Sequence, residues 1–445
     1  MDKESILGPQ DLFVSGIYLI IIIIVGLIIR NMHKDDPAYK WFMPNLLFKL
    51  SFGIIFVVTY FVILGYGGDS LAYWDGAVKL NNLFYDSPVK YFKEMVSTPS
   101  RELWAVNFNT NTGYPPRFIY EKPPNFYVSK VFSIFSFFTF KSYTALTLIA
   151  AFIAALSSFR LYQLVRKFNF TTERYIIIAT MFIPTVAFWC SSISKDMIIL
   201  ACFYFILYYF FAILDKERKF GLGNIVWIFI FAWILYHVRS FMLIAIMPPM
   251  LLGFGLGYTK NIKIEILSYL YRGGVFIVSI GVLILIFSGA AFDNELADEY
   301  LDELVVKQKD FATNETYGEH RYDLGITDYS PSGLISAAPA SILAALYRPF
   351  LWESQGVLMY VSGLESLILM VLTLGLFVTR GGILKTGGFI IRNEFLTFAL
   401  SFILFFGFFV GFSSGLFNVL IRFKAPILAF FVLVLAANPK LSKGG

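Results

Sequence analysis

Cysteine occurs only twice in the 445 residues, at Cys190 and Cys202, both inside or beside apolar runs. With only 3 histidines as well, neither a disulfide framework nor a metal site of the usual Cys/His spacing can be built. Charge is scarce too: 15% of residues are charged and 58% hydrophobic, far more apolar than a soluble domain needs to fill its core. The net charge of +6 sits in short Lys/Arg clusters between apolar runs and forms no continuous basic face, so nucleic acid is not an expected partner. A Gly-Lys-Ser/Thr phosphate loop and a His-Glu-x-x-His pair are also absent, which removes support for ATP-driven transport and for zinc hydrolase chemistry.

Long apolar runs dominate what remains. A helix needs about 20 apolar residues to span the hydrocarbon core, and about eleven stretches qualify or nearly so. They cover roughly 12–29, 46–66, 142–162, 173–190, 195–213, 222–238, 239–257, 271–288, 356–378, 395–412 and 416–437. The fold class predicted is therefore an all-α, polytopic transmembrane helix bundle, read as one domain over 1–445. Asp2, Lys3, Glu4 and Asp11 precede the first run without a small-residue cleavage site, which predicts a retained anchor rather than a removable signal. Lys and Arg cluster in every second connection, such as Arg30, Lys34 and Lys40, or Arg166, Lys167 and Arg174. By the positive-inside rule this puts the N-terminus outside and the C-terminus in the cytoplasm. Two long connections, 67–141 and 289–355, then fall outside, each with an apolar stretch too short to span (128–140 and 335–346) that is expected to lie along the interface. Little Cys with much Phe, Ile and Lys suits a bacterial inner-membrane protein.

Candidate chemistry gathers at the expected outer boundary. Gly67-Gly68-Asp69-Ser70-Leu71-Ala72-Tyr73-Trp74-Asp75-Gly76 places a carboxylate where it could deprotonate a hydroxyl or bind a divalent cation. Taken alone, Asp69 reads better as the cap of a helix starting at Ser70, and Asp75 with Lys79 as an ordinary surface pair four residues apart. Lys195 could meet a lipid phosphate or simply snorkel, with Asp196 capping the next helix. His237 and Arg239 lie at an expected outer turn, Arg348 and Glu353 in Tyr347-Arg348-Pro349-Phe350-Leu351-Trp352-Glu353, and Arg422 and Lys424 near the outer end of the last span. Positive-inside bias should deplete that side of cations. Their recurrence on separate helices predicts an anion site suited to a phosphate leaving group. Glu365, about nine residues into its span, is a functional candidate by its depth, with a protonated or Arg-paired structural Glu as the alternative. The acidic run from Asp293 to Glu303 reads as a solvated helix face.

The order of these features resembles the GT-C class of polytopic glycosyltransferases, which use polyprenyl-phosphate sugar donors on the extracytoplasmic side. The resemblance rests on Gly68-Asp69-Ser70-Leu71-Ala72-Tyr73-Trp74 opening the first outer loop, an interfacial helix within that loop, the segment from Pro184 to Asp196, Arg348 to Glu353, and Arg422-Phe423-Lys424-Ala425-Pro426. It implies Asp69 as the general base for the acceptor hydroxyl. Lys195, Arg239, Arg348 and Arg422 would hold the donor phosphate, with Tyr73, Asp75, His237 and Glu353 as further substrate contacts. A span preceding the acidic motif, and Ser70 where a second acidic residue often stands, depart from that class. They leave room for the related extracellular-polysaccharide repeat-unit polymerases. The implied partners are a polyprenyl-phosphate-linked sugar donor, a glycan, lipid or protein acceptor, and membrane lipid; no organic cofactor is implied. A rival from another class is a transporter or flippase of lipid-linked anionic cargo, which would bind with the same cations without reaction.

Overall fold

The computed structural model describes residues 6–63, 68–214, 221–259, 321–325, 328, 331–379 and 382–439, with scattered single positions between 266 and 310. The first described helices are α1 (Pro9–Met32), α2 (Phe42–Val58), α3 (Gly68–Asp86), α4 (Pro88–Val96), α5 (Arg101–Asn107), α6 (Arg117–Tyr120), α7 (Pro123–Ser136) and α8 (Tyr143–Val165). Then come α9 (Glu173–Met181), α10 (Pro184–Trp189), α11 (Lys195–Leu214), α12 (Leu222–Thr259), α13 (Pro331–Tyr347) and α14 (Val357–Thr379). The last are α15 (Gly382–Arg392), α16 (Glu394–Ser413), α17 (Phe417–Phe423) and α18 (Ala425–Ala436). Among the described residues there is no strand, only one antiparallel bridge between Arg321 and Leu416.

Among the described residues seven helices are long and apolar enough to cross a membrane, or eight if α17 and α18, bent by 63°, are one span. The chain thus reads as a multi-pass membrane protein; of the eleven spans expected, one falls outside the described residues and others differ from the helices seen. The differences have local causes. The span expected over 173–190 is two short helices, α9 and α10, separated at Phe182 and Ile183. Pro184 explains this break, because its ring disfavours helix in the residue before it and it has no N–H to donate. The two spans expected over 222–238 and 239–257 are both within α12, joined through one non-helical residue, Arg239, at φ −160 and ψ 82. The turn expected around His237 and Arg239 is thus a single-residue break. The span expected over 271–288 and the acidic segment 294–309 lie outside the described residues. The short apolar stretches of both long connections are helical, within α7 and α13.

Contacts divide the chain into two compact units. Unit 1 holds Met1–Gln163, Val186–Ile213 and Glu217–Ser240; unit 2 holds Leu164–Thr185, Leu214–Lys216 and Phe241–Gly445. In unit 1, Asp11 in the first turn of α1 accepts from Ser142 Oγ at 2.6 Å and Thr144 N at 3.1 Å. One anchor residue thereby caps the start of α8, where free amides favour a carboxylate. Asn45 on α2 donates to the Ala155 carbonyl at 2.8 Å and accepts from Ser158 at 3.1 Å, tying α2 to α8 by polar bonds that hydrocarbon does not compete for. Gly53 lets α2 approach the Ser191 carbonyl, which a Cβ would meet at 2.9 Å.

The connection between α2 and α8 in unit 1 folds on a buried polar knot. Glu94 on α4 accepts from Tyr120 Oη at 2.8 Å and from Asn107 Nδ2, while Lys130 on α7, 1% exposed, donates to the carbonyls of Glu94 and Ser97, the latter at 2.7 Å. Burial presses the Lys130 ammonium down from 10.5 to about 8, opposed by the Glu94 carboxylate. Burial and Glu94 push the Tyr120 phenol above its ordinary 10.0. Between about pH 8 and 10 the unfolded chain keeps a proton that folded Lys130 has released, so stability rises with pH. Above 10 an unfolded Tyr120 ionises before the folded one, and stability falls. Thermal melting of the detergent-solubilised chain should therefore climb from pH 8 towards 10 and then drop. In Lys130→Met the climb should vanish. A climb of equal slope in that variant would assign it to another group.

In unit 2, α16 is the central element. Its Phe398, Phe402 and Phe406 stack in sequence, at 6.1 and 5.3 Å between centroids, and Phe430 of α18 packs edge-on against Phe398 and Phe402. Gly411 allows α16 to touch the Ser341 backbone of α13, where any Cβ would overlap the carbonyl. Tyr347 at the C-terminal end of α13 donates to Thr373 Oγ1 at 3.0 Å, which sets that end, and with it Arg348, against the later turns of α14.

Candidate functional site

Asp69 lies in the first turn of α3 and is exposed. The helix begins at Gly68, whose φ of 53 needs a residue without Cβ, so Asp69 stands among the free amides of the helix start. Tyr73, one turn further on the same face, is buried. Asp75 faces elsewhere and pairs with Lys79 at 3.6 Å. Its carboxyl is raised by burial, which Lys79 partly offsets. Asp69 and Asp75 therefore do not form a pair of carboxylates about one substrate. No three His, Cys, Asp or Glu side chains gather to hold a metal ion among the described residues.

A second group in unit 1 draws on three helices. Lys195, opening α11, donates to Asn125 Oδ1 of α7 at 3.3 Å. Asp196 beside it meets Arg239 at 3.5 Å, with side chains 3% and 8% exposed. The guanidinium at the break in α12 thus faces a carboxylate of the protein itself. Two residues back, His237 stacks on Tyr127 at 4.4 Å and 18°, and Trp233 Nε1 donates to Tyr127 Oη at 3.0 Å. Nδ1 of His237 lies 2.9 Å from the Trp233 carbonyl. A carbonyl only accepts, so this assigns the proton to Nδ1 and leaves Nε2 as an acceptor. Burial raises the Tyr127 phenol, partly offset by the Trp233 bond. The product is a three-ring cluster in which Tyr127 and His237 stack and Trp233 is tilted by 50° against His237.

Unit 2 carries the other candidates. The Arg348 guanidinium lies 5.1 Å from the Tyr322 ring centre and 5.8 Å from that of Phe350, and meets Glu353 at 3.5 Å. Glu353 is itself fixed by the Phe350 N–H at 2.9 Å, so its carboxylate orients the guanidinium. Burial pushes the Tyr322 phenol up, against the pull of Arg348. The Arg348 carbonyl accepts from Lys424 Nζ at 2.8 Å, and the same ammonium, fully buried, donates to Ser366 Oγ at 3.0 Å. Glu365 Oε1 accepts from the Thr185 amide at 2.9 Å, and its Oε2 is buried. Arg422 is half-buried on α17, two residues before Lys424. Arg348 also lines a pocket of about 540 Å³ with Asp323, Leu343, Ala344, Met370 and Leu374. Leu343 and Leu374 are exposed, so the pocket is open at the protein surface.

Several of these groups carry no sequence pattern. Lys49, buried in α2, was legible only as an ionisable residue inside a span, a signal of function by default. Asn125 and Tyr127 sit in a Pro and aromatic cluster that shows composition without partners. Gly411-Phe412-Ser413-Ser414-Gly415 has the Gly-x-Ser-x-Gly spacing. Ser413 ends a helix and donates to the Phe409 carbonyl at 2.7 Å, without the strand-to-helix turn that exposes a nucleophilic serine. Comparison with protein-family models, with curated proteins and with solved structures returns no match.

Proposed function

We propose that the chain is a membrane glycosyltransferase that moves a sugar or glycan from a polyprenyl-phosphate carrier to an extracytoplasmic acceptor. The observation that carries this reading is the unit 2 pocket, whose lining is mostly apolar and includes Arg348 together with Asp323. An isoprenoid chain ending in a phosphate likewise joins a long apolar stretch to a group that a guanidinium attracts. In the transfer, the bond from the sugar anomeric carbon to the phosphate oxygen breaks and the phosphate keeps the electron pair. The acceptor oxygen bonds to that carbon, and its proton passes to a carboxylate base. Arg348 meets the charge that grows on the departing phosphate, so its attraction is larger in the transition state than in the bound donor.

The test is transfer from a labelled polyprenyl-phosphate sugar pool in membranes containing the native chain or Arg348→Lys at matched expression. Lysine keeps the charge but loses the planar fork that stacks on Tyr322 and meets Glu353, so transfer should fall by about one to two orders of magnitude through one lost charge-assisted contact. Unchanged transfer would remove Arg348 and its pocket from the reaction. A second reading, polymerisation of lipid-linked repeats, is favoured by the Tyr127, His237 and Trp233 face in unit 1, since flat rings suit the apolar faces of sugars. Product length separates the two: one added unit, or a ladder.

A further inference from the structure

A second pocket, of about 630 Å³, lies in unit 1 where α1 ends and the chain turns back through the short helix Pro37–Trp41. Its walls change character along their length. Ile24, Leu27 and Ile28 form the apolar end, and Arg30, Lys34 and Lys40 the basic end. Positions 24, 27, 28 and 31 recur at helical spacing, so α1 presents one stripe that ends near its basic last turn at Arg30, and Lys34 follows just past the helix end. The apolar residues are turned out of the protein, Ile24 at 49% and Ile28 at 52% exposed, as is most of α1. Asp36 is the one acidic residue in the lining, and it accepts from the Ala38 amide at 2.9 Å as the cap of the returning helix. The lining keeps an excess of two positive charges.

We propose that this pocket binds one anionic phospholipid, its phosphodiester among Arg30, Lys34 and Lys40 and its acyl chains along Ile24, Leu27 and Ile28. The site is separate from the pocket that Arg348 lines and does not depend on the transferase reading. Two observations select a lipid over a soluble anion. The cationic end lies within one to two helical turns of side chains exposed on a helix apolar enough to span a membrane, so a ligand filling the pocket must be amphipathic. The cations also surround one concavity, as basic pockets for lipid headgroups do. Binding here would tie the anchor helix α1 to the 3₁₀ turn that leads into α2.

Native mass spectrometry of the full chain in non-ionic detergent, titrated with phosphatidylglycerol or phosphatidylcholine, tests this. One phosphatidylglycerol should be retained in preference to phosphatidylcholine, and inorganic phosphate should not displace it. Each basic residue near the headgroup is worth about fivefold in affinity, so R30Q/K34Q/K40Q should lose roughly a hundredfold. The variant K93Q/R101Q/K122Q removes equal charge from exposed positions of the connection between α2 and α8 and should bind as the native chain does. Equal losses in both triple variants would mean diffuse attraction, and equal retention of the two lipids would mean apolar contact alone; either overturns the site. Displacement by inorganic phosphate would turn it into a soluble-anion site, and a lipid-independent dimer lost in R30Q/K34Q/K40Q would assign the surface to a second copy. Should that triple variant fail to fold, Lys34→Gln alone, at an exposed position past the end of α1, should still show the fivefold loss, and native affinity there would overturn the proposal.

Discussion

Asp69→Asn is expected to lower sugar transfer by about two to four orders of magnitude, the usual contribution of a positioned general base, with little change in folded yield. Asn keeps the size of the side chain and its hydrogen-bonding carbonyl, and the loss of the carboxylate's attraction to the helix start of α3 costs about 0.3–1 kcal/mol. Activity and stability should therefore separate in this variant. They should not separate for a residue whose carboxylate is structural, and Asp75, part-buried and paired with Lys79, supplies the comparison. Equal transfer by the native chain and Asp69→Asn would reduce Asp69 to a helix cap. If neither chain transfers sugar while lipid-linked donor crosses the membrane, the transporter reading takes precedence. That arm matters because the breaks before Pro184, at Arg239 and at Lys424 interrupt apolar helices, and interrupted helices also line the sites of transporters.

Arg239→Met should destabilise unit 1 by about 3–5 kcal/mol, the cost of leaving one member of a buried ion pair without the other. The guanidinium sits where α12 is interrupted, opposite Asp196 in the first turn of α11. A 38-residue helix would be about 57 Å long, well beyond the roughly 30 Å hydrocarbon core, so an interruption within α12 is physically required. Charge placed at such a point needs a partner because lipid offers none. Adding Asp196→Asn should return most of the lost stability by removing the orphaned carboxylate. Denaturant unfolding of the two single variants and the double variant gives the coupling directly. A double variant as unstable as the sum of the singles would mean that the two side chains do not stabilise one another.

How much of this could be read along the chain varies from residue to residue. The spans 12–29, 46–66 and 395–412 correspond closely to Pro9–Met32, Pro37–Ile63 and Glu394–Ser413, because an uninterrupted apolar run leaves a backbone in lipid few alternatives to helix. Positions near breaks were harder. Arg239 has the composition of a turn between two spans, yet one extended residue suffices. Arg348 and Glu353 stand in one short motif, so their pairing could be anticipated. The stack of His237 on Tyr127 could not, since the two residues belong to separate helices and neither has a periodic neighbour. No linker composition announces that the candidate residues divide between two compact units.

By itself the sequence determined the membrane class and the helical content, because hydropathy adds residue by residue along a run and needs no knowledge of partners. Only the tertiary structure decided which charges are satisfied by the protein and which are presented to a ligand. Lys130 reaches Glu94 across 36 residues and Lys424 reaches Arg348 across 76. Bonds of that separation follow no period, and burying a charge is tolerable only where such a partner is brought to it.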